Sequence, residues 1–255
     1  MIFLKTAVAA RGIGNSPGPV SVEKQPLNAL YTDLNGDKKL DLVGVRGTSE
    51  ALVMPGDGTG KFGGGPGLST ASGPTALAAD FDGDGNPDLA VAASGATQLI
   101  VALGDGKGGI SKQEMSACKL GATALAAGDV DRDGKLDLVT AHRDSGLVLV
   151  ARGLGGGRFA APSEINLGGA PNYVRLADWN GDANLDIAIA DVPARTISIL
   201  LGDGKGGFAA PVAQPGGVGP VQLTVGDFNK DRRPDLLAIQ LGSMSELTLL
   251  MNTSR

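Results

Sequence analysis

Residues 80–88 read DFDGDGNPD, with aspartate at the first, third, fifth and ninth places. Four carboxylates in nine residues repel one another at neutral pH, so the stretch stays folded only if something offsets that repulsion. The pattern recurs as DLNGDKKLD (Asp33 to Asp41), DVDRDGKLD (Asp129 to Asp137), DWNGDANLD (Asp178 to Asp186) and DFNKDRRPD (Asp227 to Asp235), at spacings of 47, 49, 49 and 49 residues. A fixed period of this size marks a repeat architecture.

Each period carries the same surroundings. Over residues 121–169, ATALAAG leads into the acidic loop, and LDLVTA, GLVLVA, the glycine turn RGLGGG and RFAAPSEINL follow. The apolar runs are short, rich in Val, Leu, Ile and Ala, and bounded by Gly, Asp or Pro, which reads as strand. Four antiparallel strands per period describe a propeller blade, so the chain is expected to form a single all-β propeller domain over residues 1–255. The first run of a blade is built of small residues, as in ALAAD ending at Asp80, which suits strands converging on a crowded central channel. Large side chains are not expected there.

The ends bear on closure. After the last loop only LLAIQ and LTLLMN follow, one strand short of a blade, whereas PVSV (Pro19 to Val22) resembles a fourth strand such as that at Pro211-Val212. Pairing of these N- and C-terminal strands is expected to close a five-bladed, monomeric ring and remove exposed sheet edges. Thr6 to Ala10 also aligns with a third-strand position, which leaves open excision from a longer array or closure by oligomerisation.

Composition agrees and narrows the partners. A chain of 255 residues with 42% hydrophobic content can fill a core, and 4% aromatics against 41 glycines favours short strands and tight turns over helices. The net charge of −5 without a basic block excludes a nucleic-acid footprint, and no apolar run approaches the ~20 residues of a membrane span. The single cysteine, Cys118, forms no internal disulfide and reads as a small semi-buried residue. Met1 to Ala10 is interrupted by Lys5 and makes a poor secretory signal.

The chemistry lies in the loop. Position 1 is Asp33, Asp80, Asp129, Asp178 and Asp227; position 3 is Asn35, Asp82, Asp131, Asn180 and Asn229. Position 5 is Asp37, Asp84, Asp133, Asp182 and Asp231, and position 9 is Asp41, Asp88, Asp137, Asp186 and Asp235. Position 7 is Lys39, Asn86, Lys135, Asn184 and Arg233, and because a cationic side chain cannot ligate a cation it is expected to offer its backbone carbonyl. Four oxygen side chains plus one carbonyl make a cage for a hard cation, most simply Ca²⁺, with up to five ions in all. An EF-hand would need Glu at position 12 and flanking helices, but position 12 is Gly44, Val91, Thr140, Ile189 or Ala238. The loops hold seventeen of the 27 acidic residues, and five divalent ions would move the formal charge from −5 to +5. The loops at Asp80 and Asp129, with four carboxylates and glycine at position 6, are expected to bind tightest. The loop at Asp227, crowded by Lys230, Arg232 and Arg233, is expected to bind weakest. Position 2 (Leu34, Phe81, Val130, Trp179, Phe228) is expected to plug the packing between blades.

Together, D-x-[DN]-x-D-x-x-x-D after a short strand, the glycine turns GDGTGKFG (Gly56 to Gly63) and GDGKGGF (Gly202 to Phe208), and GAP at Gly169 to Pro171 resemble the FG-GAP or VCBS repeats, the type that builds the calcium-binding propeller of integrin α subunits. The likeness runs from Pro19 to Asn252. It implies a propeller with structural metal between the first two strands of each blade, in a family of adhesion or carbohydrate-binding modules and supports for separate enzyme domains. Such propellers commonly close with seven blades, and this chain has five copies.

Other motifs carry less. GNSPG (Gly14 to Gly18) lacks the strand and helix of a nucleophile elbow around Ser16, and GDGKGG at Gly104 and Gly202 recurs as a hairpin turn, unlike a dinucleotide fingerprint. His142 is the only histidine, so no histidine cluster exists for zinc, and it is expected at the surface. Asn252-Thr253-Ser254 fits a glycosylation acceptor. Without a convergent catalytic set the chain is not expected to be an enzyme. The expected function is a calcium-rigidified binding or adhesion module for a protein or glycan, extracellular or at the cell surface because millimolar calcium is found there. The alternatives are an accessory or catalytic domain of a polysaccharide-active enzyme, relying on spare carboxylates such as Asp144 and Asp191, and a purely structural or engineered repeat scaffold.

Overall fold

The computed structural model describes residues 26–46, 50–65, 67–72, 74–240 and 247–253, and every regular element among them is a β-strand. The first sheet pairs β1 (Pro26–Thr32), β2 (Asp41–Arg46), β3 (Glu50–Met54) and β4 (Gly67–Ser69) in that order, and the second pairs β5 (Pro74–Ala79), β6 (Asp88–Ala93), β7 (Gln98–Gly104) and β8 (Ile110–Ala117). The third runs through β9 (Ala122–Gly128), β10 (Asp137–His142), β11 (Leu147–Ala151) and, outermost, β14 (Ser163–Asn166); between these, β12 (Gly153–Gly155) and β13 (Arg158–Phe159) make a separate hairpin. The fourth joins β15 (Pro171–Ala177), β16 (Asp186–Asp191), β17 (Thr196–Leu200) and β18 (Val212–Pro215). The fifth has three strands among the described residues, β19 (Pro220–Gly226), β20 (Asp235–Gln240) and β21 (Leu247–Leu250). All pairings are antiparallel, as the short connections demand.

The sheets stack as propeller blades, and the burial pattern explains the sequence. The second strand of a blade is covered on both faces, so β6 (DLAVAA) and β10 (DLVTAH) are buried at every residue and read as continuous runs. The outer strand β8 (ISKQEMSA) has no neighbour beyond it and is mostly exposed or half-buried. Four apolar layers hold consecutive sheets together. The layer between the third and fourth, for example, packs Val139, Val148 and Val150 against Val174, Ile187 and Ile189. Position 2 of each acidic loop seals these layers in four cases: Leu34, Phe81, Val130 and Trp179 are 7%, 5%, 1% and 9% exposed. Phe228 departs from the expectation, at 45% exposed. Its face of the fifth sheet, with Ile239, Leu247 and Leu249, is exposed where the matching face of the fourth is buried against a following sheet.

The inner strands β1, β5, β9, β15 and β19 each pack beside the next, and no comparable packing joins β19 to β1 among the described residues. Side chains bridge the neighbours: Thr123 Oγ1 donates to Pro171 O (3.3 Å) and Asn172 Nδ2 to Val221 O (3.5 Å). All five line one cavity of about 300 Å³. Its walls on β1, β5 and β9 are Ala and Leu as expected, but β15 brings Tyr173 and Arg175 into it, which corrects the expectation that no large side chain stands there. The gap left between the converging strands is wide enough to hold them. The expected closing strand, Pro19 to Val22, lies outside the described residues, as do Thr6 to Ala10 and Ser16.

Candidate metal centres

Each acidic loop connects the first and second strands of its sheet, and one hydrogen-bond scheme builds all five. The position 9 aspartate is buried and works as a staple. One oxygen accepts from the backbone N–H of position 2, at 2.9 Å for Leu34, 2.7 Å for Phe81, 2.8 Å for Val130 and 2.9 Å for Trp179 and Phe228. The other accepts from a backbone N–H at the end of the third strand or two residues past it: Gly56 at 2.9 Å, Gly104 at 2.8 Å, Gly153 at 2.7 Å, Gly202 at 2.8 Å and Asn252 at 2.8 Å. The position 7 N–H donates to the position 5 carboxylate throughout, as from Asn86 to Asp84 at 2.7 Å and from Lys135 to Asp133 at 2.9 Å.

The turn bends left-handed twice per loop. Position 4 has positive φ at Gly36 (71°), Gly83 (82°), Arg132 (61°), Gly181 (79°) and Lys230 (64°); position 6 has it at Lys38 (64°), Gly85 (86°), Gly134 (84°), Ala183 (66°) and Arg232 (69°). Each non-glycine residue there costs about 1 kcal/mol. Only the loop at Asp80 has glycine at both places and only the loop at Asp227 has it at neither.

Carboxylates converge in two loops. The oxygens of Asp80, Asp82 and Asp88 lie within 4.8 Å of one another, as do those of Asp129, Asp131 and Asp137. The strain of this gathering shows in the proton affinities. Burial raises the pKa of Asp82, with the charges of Asp84 and Asp80 adding to it, and burial followed by neighbouring Asp charges likewise raises those of Asp88 and Asp137. Asp186 is raised in the same way, by burial and then by Asp182 and Asp178. In the other three loops asparagine at position 3 contributes an amide oxygen instead; Asn35 Oδ1 and Asn180 Oδ1 each accept from the position 5 N–H at 3.0 Å. The position 5 aspartates are exposed, and those at Asp84 and Asp133 lie outside the two clusters. Hydrogen bonds from Asn86 and from Lys135 hold their carboxyls below the usual range.

Cationic side chains reach into some loops. Lys135 Nζ sits 2.7 Å from Asp133 and Arg152 Nε 3.5 Å from Asp131, and Lys39 Nζ is 3.3 Å from Asp37. No such partner of the Asp80 loop is found among the described residues. With three converging carboxylates, glycine at both left-handed places and Asn86 at position 7, it is the loop best shaped for a divalent cation.

Of the residues set aside as catalysts, Asp191, His142 and Cys118 have structural partners. Both oxygens of Asp191 accept backbone N–H groups, from Ala170 at 2.7 Å and Ala194 at 2.9 Å. His142 is fully buried, which corrects its expected surface position. It ends the doubly covered strand β10, and Nδ1 lies 3.2 Å from the Leu120 carbonyl, so that nitrogen carries the proton and Nε2 accepts from Thr140 Oγ1 at 2.8 Å. Burial lowers its pKa, and burial raises that of Cys118, whose sulfur is 3.7 Å from Nε2.

The stacked antiparallel sheets and their recurrent acidic loops define a repeat β-propeller fold. The FG-GAP-like repeat model matches residues 33–91, 80–140, 129–189 and 178–238, and the chain belongs to that family. No curated protein sequence matches it. Among solved structures it is similar to an Agrocybe aegerita lectin described as recognising non-reducing terminal N-acetylglucosamine, at 19% identity and a TM-score of 0.58, covering 89% of this chain and 63% of the lectin chain. It is also similar to BBS1N, solved in complex with ARL6DN (14% identity, TM-score 0.56, 92% of this chain and 70% of that one). A third likeness is to the Photorhabdus luminescens Tc holotoxin pore (22%, TM-score 0.50, 89% and 11%). At these identities the likeness is one of fold, and the chain spans less than two thirds of the lectin and of the holotoxin chain. Among the described residues no helix is long and apolar enough to cross a membrane.

Proposed function

We propose that this propeller is a non-catalytic recognition module, stiffened by calcium in its acidic loops and working outside the cell, where it holds a glycan or protein ligand. The observation that carries it is the convergence of three carboxylates within 4.8 Å at Asp80 and again at Asp129, in loops whose backbone is already folded around them. At each site the oxygens at positions 1, 3 and 9, with the position 5 carboxylate and the position 7 carbonyl, would hold the ion. A bound divalent cation supplies neutralisation, turning the repulsion among these carboxylates into attraction. The similarity to a glycan-binding lectin fold supports recognition as the role, and the typical setting of FG-GAP repeats supports an extracellular one.

The test is a thermal melt in EDTA against about 2 mM CaCl₂, the order of affinity of extracellular modules, run beside a glycan array. At this concentration, with Kd of about 10⁻⁴ to 10⁻³ M, calcium adds roughly 0.6 to 1.8 kcal/mol per site. A melting temperature indifferent to calcium would sink the metal assignment, and silence across glycan and protein arrays would sink the recognition role.

A further inference from the structure

The acidic loops occupy one end of the blades, whereas the cavity of about 300 Å³ lies along the axis between the inner strands. It is at the lower bound of the volumes that hold small ligands. Its walls are alanine and leucine except for Tyr173, Arg175 and Gln222, and Arg175 is the only charged side chain lining it among the described residues.

The repeat does not require this residue. Ala124, Tyr173 and Gln222 stand at the same place in three consecutive repeats, 49 residues apart, and so do Ala126, Arg175 and Thr224. Alanine and threonine fold equally well there. The fourth repeat departs in a coordinated way: the Arg175 guanidinium carbon sits 4.5 Å from the centre of the Tyr173 ring, Nη2 donates to Tyr173 OH at 2.8 Å, and Nη1 donates to Val174 O at 3.0 Å. These contacts fix the plane of the guanidinium but use two of its five N–H groups. No described carboxylate forms an ion pair with Arg175. A half-buried cation with no ion-pair partner among the described residues favours an anion, and a planar guanidinium fork matches a carboxylate in bidentate fashion. Gln222, on β19, adds an amide able to hydrogen-bond hydroxyl groups.

We infer that the axial cavity binds a carboxylate-bearing small molecule of monosaccharide size, with Arg175 as the anion partner and Tyr173 as the residue that positions its guanidinium. This deepens, and rests on, the reading of the chain as a recognition module. A uronate group or a simpler organic acid would supply the same chemistry, and size separates them.

The experiment titrates the calcium-loaded protein with glucuronate, glucose and acetate, followed by calorimetry and by amide shifts. Glucuronate is expected to bind, acetate at least tenfold more weakly, and glucose not measurably. Arg175→Gln should abolish glucuronate binding, Arg175→Lys should weaken it about tenfold because the charge stays and the fork is lost, and Tyr173→Phe should weaken it several-fold. Melting temperatures near that of the parent show that the variants fold. Equal binding of glucose and glucuronate, glucuronate binding unchanged in Arg175→Gln, or no binding of any probe to the parent protein overturns the assignment; acetate binding as tightly as glucuronate overturns the size. If the cavity proves inert while an array ligand binds the parent and Arg175→Gln alike, the recognition role stands and the cavity is not its site.

Discussion

The loop that starts at Asp80 and the loop that starts at Asp227 share a spacing and a hydrogen-bond scheme, yet they differ in nearly everything that makes a site. In the first, three carboxylates converge, both left-handed positions are glycine, and Phe81 is buried under the next sheet. In the second, Lys230 and Arg232 occupy the left-handed positions, Asp227 and Asn229 are exposed, and Phe228 lies open. The nine-residue spacing therefore secures the loop's outline. Its quality as a metal site comes from two further sources, the conformational freedom of positions 4 and 6 and the cover of the following sheet.

The sharpest way to break this comparison is at position 9. Asp88→Asn puts an amide donor against one of the two N–H groups that Asp88 accepts, at Phe81 and Gly104, and leaves it unsatisfied in a buried place. The expected loss is about 3 kcal/mol or more in urea unfolding, against a clearly smaller loss for Asp235→Asn, where the open fifth sheet can relax. Equal losses would mean that the following sheet contributes nothing. Next comes affinity. Terbium luminescence should show Asp80→Ala removing the tightest site and Asp227→Ala the weakest, with about tenfold or more between them, and Asn229→Asp with Arg232→Gly should narrow that gap. Identical affinities would refute the ranking.

The backbone contribution is smaller and can be isolated. A methyl added at Gly83 or Gly85 meets no atom within 4 Å, so Gly85→Ala should cost about 1 kcal/mol through φ alone, while Arg232→Gly should gain about as much. The smallest effect sets a covered sheet apart from the open fifth one by pH. His142 lies in the third sheet, and its lowered pKa means that the unfolded chain takes up a proton that the folded protein refuses. Stability is unaffected above the ordinary value of 6.5 and falls as pH drops below it, until the folded pKa is reached. The loss at pH 6 should be under about 1 kcal/mol and vanish in His142→Gln, with hydrogen exchange rising in β10 and not in β20.

Much of this was legible from residue spacing. The five loops and the antiparallel strands of each blade follow from period and polarity, because they depend on local chain chemistry. The left-handed demand at position 4 was obscured: Arg132 and Lys230 stand where Gly36, Gly83 and Gly181 reveal it, so the glycines alone do not form a consistent column. His142 reads as a strand-end residue near a turn, and the Leu120 carbonyl and Cys118 sulfur beside its ring lie over twenty residues away in the chain. The Tyr173 and Arg175 pair was hidden for a similar reason, since strand alternation says which residues share a face and says nothing of how wide the axial gap is.

One recurring contact gives the molecule a direction. The position 2 carbonyl of one sheet accepts from the next sheet's chain: Phe81 O from Gly157 N (3.2 Å), Val130 O from Gly206 N (3.2 Å), Trp179 O from Asn252 Nδ2 (2.9 Å). A blade emerging from the ribosome thus carries an unfinished loop until its successor has been translated. Synthesis and completion run in the same order, each newly made blade closing the one before it.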